Sequence, residues 1–394
     1  MNTRFFTGSR SNRFTNLSRL ILSMCFQLNI GCISSSGISS VSDEPPVQLP
    51  AKTDSHPCPS GGLCENFRRQ LARVCERMKE DVALSPNPVP ELFMEHTLDS
   101  DTRRIASQAA LKDVDIAFHA AACAAYASDL QLAKQSLKRS LEYLERWSAI
   151  YIPQGNPVND SYLLPMLFAA RLIWPQILEA KRSNLSTWIR GFITQGDRFY
   201  AGEIDAGSRR IVHPDSDSRV KNNWQTWRLA IRSSAVTILN DQREIEVTAD
   251  LIAQLIEVNL NSDGSSYDFL QRDALHYHVY DLDAWTQIAI VAPKVLTTHH
   301  RERIQQAFLF MKPYYEGTRE HIEFANSKVP FDAERREAGK PEYQNVPWKP
   351  EGANKLLRLA RCVFPATSSW TTDLERSQSA SPRIKLLAAL LCES

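Results

Sequence analysis

Residues 272–281 read RDALHYHVYD, where Arg272, His276, Tyr277 and His278 crowd together with Asp281 close behind. These side-chain types hold charge or carry protons. On a continuous helix Arg272 stacks with His276, and Tyr277 with Asp273 and Asp281, because residues four apart are neighbours. His276 and His278 then point about 200° apart, so they could share a metal only on a strand or loop. The spacing favours acid/base work by Tyr277 over a metal site, and no metal is expected. The plainer alternative for either histidine is a core residue satisfied by its hydrogen bonds.

Two other stretches carry more polar and aromatic groups than helix packing requires. YIPQGNPVNDSY (151–162) offers Asn156, Asn159 and Asp160 in a loop. RVKNNWQTWRLAIR (219–232) opens a helix on Asn222 and Asn223, with Trp224, Trp227 and Arg228 following. Asn223 and Trp227 share one helix face, and Trp224 and Arg228 another. Amide and cationic donors suit an anionic ligand, and indole rings suit a sugar face. The structural alternatives are an N-cap for Asn222 or Asn223 and core packing for the tryptophans. Lys221, Arg228, Arg232, His213 and Arg219 are candidates for a basic lining that attracts an anionic chain.

The elements that must position these groups are helices. Residues 129–147 place Leu130, Ala133, Leu137, Leu141, Leu144 and Trp147 at steps of three and four, which makes one apolar stripe. Asp129 precedes it as an N-cap. Helical segments are also predicted over 113–127, 161–181, 184–199, 222–240, 244–259, 273–293, 299–312 and 351–363. No segment alternates with a period of two, so the expected class is all-α. Helical hairpins in succession without a fixed-length repeat point to an α/α toroid of antiparallel pairs over 63–394. The segment 323–344 reads as a long loop followed by a polar stretch, and no site residue is assigned there.

The chain has 394 residues and a formal net charge of +1, without the basic excess of a nucleic-acid binder. Four arginines precede the apolar run 20–33, and small residues follow it, which is the pattern of a signal peptide over 1–40. That run is too short for a membrane span, so no stable membrane insertion is expected. The expected location is periplasmic or secreted. The Pro- and Ser-rich stretch 41–62 reads as a linker. Export would permit a small disulfide between Cys58 and Cys64, while Cys123 reads as a small core residue. A monomer is expected.

Taken in order, WSAIYIPQGNPVND, KNNWQTWRLAI and DGSSYDFLQRDALHYHVYDLDAW resemble the alginate lyase family of polysaccharide lyases over roughly residues 105–365. The resemblance implies an α/α toroid, no organic cofactor and an anionic polysaccharide as the partner. It implies β-elimination on a uronic-acid polymer. Tyr277 matches the catalytic tyrosine and Asn223 the asparagine that neutralises the sugar carboxylate, with Arg272 and His276 adding positive charge. Asn222, Trp224, Trp227, Arg228, His278, Asn156 and Asn159 are the expected substrate contacts. Trp224 stands where well-known members have a histidine, so the resemblance implies polyuronate more firmly than alginate. Leu270 occupies the position of the family's arginine. Two other classes remain open. One is a glycoside hydrolase using two of Asp215, Asp217, Asp281 and Asp283. The other is a non-catalytic polysaccharide-binding protein.

Overall fold

Each helix stops where its sequence stops it. Asp129 caps α4 (Leu130–Ile150), accepting from the N–H groups of Gln131 and Leu132 at 2.9 and 3.1 Å. Ala133, Leu137, Leu144 and Trp147 of the anticipated stripe are buried, whereas Leu130, the first residue, is exposed. The computed structural model describes residues 62–80, 84–95, 97, 100–202, 220–370 and 380–393. The signal segment, nearly all of the linker and the Cys58–Cys64 pairing lie outside the described residues, as do His213, Asp215, Asp217 and Arg219.

Among the described residues the chain is all-α, joined by 3₁₀ turns and two isolated bridges. The remaining helices are α1 (Gly62–Glu80), α2 (Thr102–Ala110), α3 (Lys112–Tyr126), α5 (Pro157–Asp160), α6 (Leu164–Ile173) and α7 (Glu179–Tyr200). They continue as α8 (Asn223–Leu239), α9 (Gln242–Asn259), α10 (Tyr267–Arg272), α11 (Leu275–Val291) and α12 (Thr298–Tyr315). The last three are α13 (Pro330–Glu337), α14 (Asn354–Val363) and α15 (Pro382–Glu393). The predicted helix 161–181 is interrupted at Trp174–Gln176 by a 3₁₀ turn carrying Pro175.

Packing closes a ring. α3 contacts α6, α6 contacts α8, α8 contacts α11, and α11 contacts α14. α14 then contacts α15, α15 contacts α1, and α1 returns to α3. Outside this ring α4 backs α3, α7 and α9 back α8, and α12 backs α11. The result is an α/α toroid. Inner helices are buried on most sides, as the alanine run of α3 and nearly all of α8 show.

Two disulfides sit in this ring. Cys75–Cys123 joins α1 to α3 and Cys362–Cys392 joins α14 to α15, with Cα separations of 5.7 and 4.6 Å. Cys123 is therefore half of a cross-link rather than a simple core thiol. Each bond closes a loop of tens of residues and restricts the unfolded chain by roughly 4 kcal/mol.

Candidate active site

The helix expected through RDALHYHVYD is broken in the middle. Ser266 caps α10, and Asp273 ends it in the left-handed region at φ 49°. The carbonyl of Asp273 accepts from Phe324 N–H at 2.7 Å and from the His321 ring at 3.0 Å. Its carboxylate accepts from the backbone and side-chain N–H groups of Asn326 at 2.8 and 2.9 Å. Segment 321–326 thus holds the break open, and α11 starts afresh at Leu275. The pairs expected at helical spacing do not form. Arg272 lies over the Tyr277 ring, 4.1 Å from its centroid, instead of beside His276 on one helix. Asp273 turns to Asn326, and Asp281 is sealed inside, accepting from Thr226 Oγ1 at 2.6 Å.

Tyr277 sits at the meeting point of four elements. Arg335 of α13 donates to its hydroxyl at 3.3 Å, and the hydroxyl of Tyr343 is 3.4 Å away. Arg335 also donates to Tyr343. The His276 ring lies 4.3 Å from the Tyr277 ring. Glu323, buried, accepts from the His276 backbone N–H at 3.1 Å and faces Nδ1 at 3.2 Å, which places the Nδ1 proton between them. Arg272 donates to Asp332 at 2.6 Å. Burial disfavours the Arg272 cation, but Tyr277, Asp332 and Asp268 outweigh it and leave its pKa raised. Glu323, Asp332, Arg335 and Tyr343 were not read as site residues, because they come from the 323–344 stretch.

Asn222 caps α8 by accepting from Trp224 N–H at 3.1 Å. That frees Asn223 for another task. Its backbone N–H and its side-chain amide both donate to Asp268, each at 2.6 Å. Its Oδ1 is buried and has no hydrogen-bond partner among the described residues. Burial pushes Asp268 up to about 6, against the pull of Arg272 and the two Asn223 donors. Asp268 therefore ties Asn223 electrostatically to the cation over Tyr277. It also raises the neighbouring Asp281, whose carboxyl burial has already pushed well above the usual range.

Tyr277, Asn223, Arg272 and His276 are thus brought into one connected network; most of the expected substrate contacts are not. His278 is fully buried, bonded through Nε2 to the Ala307 carbonyl of α12 at 3.0 Å and packed on Phe310. Burial depresses it to about 4. It is a neutral core histidine because α11 turns that face toward α12. Asn156 and Asn159 are also buried. Asn156 caps α5, and Asn159 Oδ1 accepts from Met94 and Glu95 N–H at 3.1 and 3.0 Å. Arg228 faces outward into the helix layer, donating to Asp197 and Gln225 at 2.7 Å. Arg232 joins it there on Asp197 and Glu244. Trp224 packs beside Phe199, with ring centroids 5.9 Å apart.

Trp227 alone of these faces the centre. With Tyr280, Tyr162, Phe168, Asp283 and Lys355 it lines a cavity of about 500 Å³ among the inner helices. Trp227 lies one helical turn beyond Asn223, and Tyr280 about one turn beyond Tyr277, along α8 and α11.

Residues 200–321 match the family model described as alginate lyase. No curated protein sequence matches. Among solved structures, alginate lyase A1-III from Sphingomonas species A1 is similar at 15% identity and a TM-score of 0.46. That match covers 82% of this chain and 94% of the other. Asn223, Asp268, Arg272, His276 and Tyr277 all fall inside the segment matched by the family model.

Proposed function

We propose that the chain, whose residues 200–321 match the alginate lyase family model, is a polysaccharide lyase that cleaves a polyuronate by β-elimination at Tyr277. The C5 proton of a uronate lies beside an ionised carboxylate and is weakly acidic. Something must quiet that carboxylate, a base must take the proton, and an acid must protonate the leaving oxygen. The observation that carries the reading is the placement of Arg272 over Tyr277 while Asp268 links Arg272 to Asn223.

In this scheme Asn223 offers the sugar carboxylate its second amide hydrogen. Arg272 and His276 add positive charge where electrons accumulate. Tyr277, as the phenolate, takes the C5 proton. The C5–H pair becomes the C4=C5 double bond, the C4–O bond breaks, and Tyr277 returns the proton to the departing oxygen. Trp224, packed on Phe199, brings no acid or base, so the charge work falls to Arg272 and His276. Trp227 and Tyr280 present aromatic faces to a sugar ring in the central cavity.

The substrate class is a mannuronate-, guluronate- or glucuronate-containing polymer, acted on by a monomer. The signal-like N-terminus and the two disulfides support a periplasmic or secreted location. The hydrolase reading loses support from the carboxylates themselves. Asp281 is sealed under Thr226, and Asp283 is held by Lys355 at 2.9 Å.

Ultraviolet absorbance of unsaturated uronides, followed across polymannuronate, polyguluronate and glucuronan, tests the class of reaction. Tyr277→Phe is expected to reduce turnover by roughly 10²- to 10⁴-fold with the fold intact. Reducing ends without ultraviolet product would instead mark a hydrolase, and near-normal turnover in Tyr277→Phe would remove the tyrosine from the mechanism.

A further inference from the structure

Arg335 and Tyr343 lie beyond the segment that matches the family model. Both come from the stretch around α13. Asp332 and Arg335 are three residues apart on this helix and so share a face. Asp332 holds Arg272 above the Tyr277 ring, and Arg335 reaches the Tyr277 hydroxyl directly. One short helix therefore positions both guanidinium groups on the same tyrosine. Arg335 is itself steadied over the Phe331 ring at 4.2 Å. A 3₁₀ turn at Pro341–Tyr343 then folds Tyr343 back against Phe324, with ring centroids 4.3 Å apart.

The direction of the hydrogen bond between the two tyrosines follows from burial. Tyr343 is almost fully buried, which pushes its phenol above its ordinary range and keeps the proton on it. A phenol that keeps its proton donates, so the Tyr277 oxygen is the acceptor when it is ionised. That oxygen thus receives a guanidinium N–H and a phenol O–H, with a second guanidinium over its ring. Donors fixed in advance around one oxygen, here that of the half-buried Tyr277, are the arrangement that stabilises developing anionic charge.

We propose that Arg335 and Tyr343 are further catalytic residues, forming a preorganised pocket for the Tyr277 phenolate. The inference rests on the β-elimination reading. When the phenolate takes the C5 proton, an O–H bond forms on Tyr277 and the two donors lose the charge they held. When Tyr277 passes that proton to the leaving oxygen, the charge returns to the pocket. Arg335 and Tyr343 exchange no proton in the cycle. The other titratable or charged groups around Tyr277 are Arg272 of α10 and His276 and Tyr280 of α11, with Glu323 and Asp332 behind His276 and Arg272.

Two readouts on the full chain test the pocket. The first is the pH at which Tyr277 ionises, followed by NMR of tyrosine labelled with carbon-13 at Cζ and assigned by its loss in Tyr277→Phe. The second is the rate of ultraviolet product on a polyuronate that the parent cleaves. Arg335→Met is expected to raise the ionisation pH of Tyr277 by about 1 unit or more. The same change is expected to lower kcat roughly 10²-fold, with KM little changed. Arg335→Lys should recover part of both, and Tyr343→Phe should shift both in the same direction by less. Should Arg335→Met not fold, Tyr343→Phe carries the test, since it removes one oxygen and no packing. Unmoved Tyr277 ionisation in folded variants overturns the proposal. Ionisation that moves while the parent yields no ultraviolet product from any polyuronate upholds the pocket and sinks the lyase reading.

Discussion

The loop at 151–162 and the centre around Tyr277 are both rich in polar groups, yet they are built in opposite ways. In the loop the polar atoms serve the scaffold. Asp160 accepts from the Tyr151 hydroxyl and from the N–H groups of Gln154 and Gly155 at 3.2 and 2.8 Å. Asn156 and Asn159 cap and brace neighbouring backbone. Gly155 has φ 73°, and a Cβ there would stand 2.3 Å from the Gln195 carbonyl oxygen, so the turn also fits tightly against α7. Around Tyr277, by contrast, two donors and a stacked cation converge on one hydroxyl group, and Asn223 keeps a buried acceptor with no partner among the described residues. Polar content alone does not distinguish scaffold from chemistry. Where the hydrogen bonds end does.

The largest effect that sharpens this contrast is expected in the loop. Asp160→Ala strands two buried donors and one half-buried donor and should lower unfolding free energy by about 4 kcal/mol, measured from urea midpoints. The folded variant should keep far more turnover than Tyr277→Phe. A severe loss of kcat at unchanged stability would instead move the loop into the chemistry.

Next comes Asp268→Asn. An amide cannot accept both Asn223 donors as a carboxylate does, so Asn223 should shift and kcat fall roughly 10- to 100-fold. Stability should drop by only about 1 kcal/mol. Unchanged turnover would show that Asn223 needs no such anchor.

The smallest effect concerns His278. Its folded pKa of about 4 lies below the ordinary histidine value, so between about pH 6.5 and 4 the unfolded chain binds a proton that the native state refuses. Stability therefore falls as pH drops through that window, by roughly 1 kcal/mol per pH unit from this group. Buried Asp160 and Asp268, raised to about 6, act in the opposite sense: each contributes stability below about pH 4 that is lost as pH rises toward 6. His278→Gln should remove the histidine contribution and leave the carboxylate contribution, as a pH series of urea melts would reveal. An unchanged pH slope would contradict burial of a neutral ring.

Local sequence was a good guide to helices and a weaker one to side-chain direction. The stripe of α4 and its Asp129 cap were legible because both depend only on residues within a turn or two. The buried placements of His278 and Arg228 were not legible for the opposite reason. The faces they present were decided by α12 and α7, far away in the chain. Cys123 was misread similarly, since its partner on α1 lies 48 residues off.

By itself the sequence determined the all-α class and the helix spacing, and it singled out Asn223, Arg272, His276 and Tyr277 as candidates. Periodicity and motif order are written along the chain and need no tertiary context. Only the tertiary structure decided that Asp273 breaks the helix, that Arg272 reaches Tyr277 across the break, and that Asp268 anchors Asn223. It also brought in Arg335 and Tyr343 from the 323–344 stretch. Their arrival depends on segment 321–326 bonding to the carbonyl and carboxylate of Asp273, and a contact across some fifty residues leaves no periodic trace in the sequence.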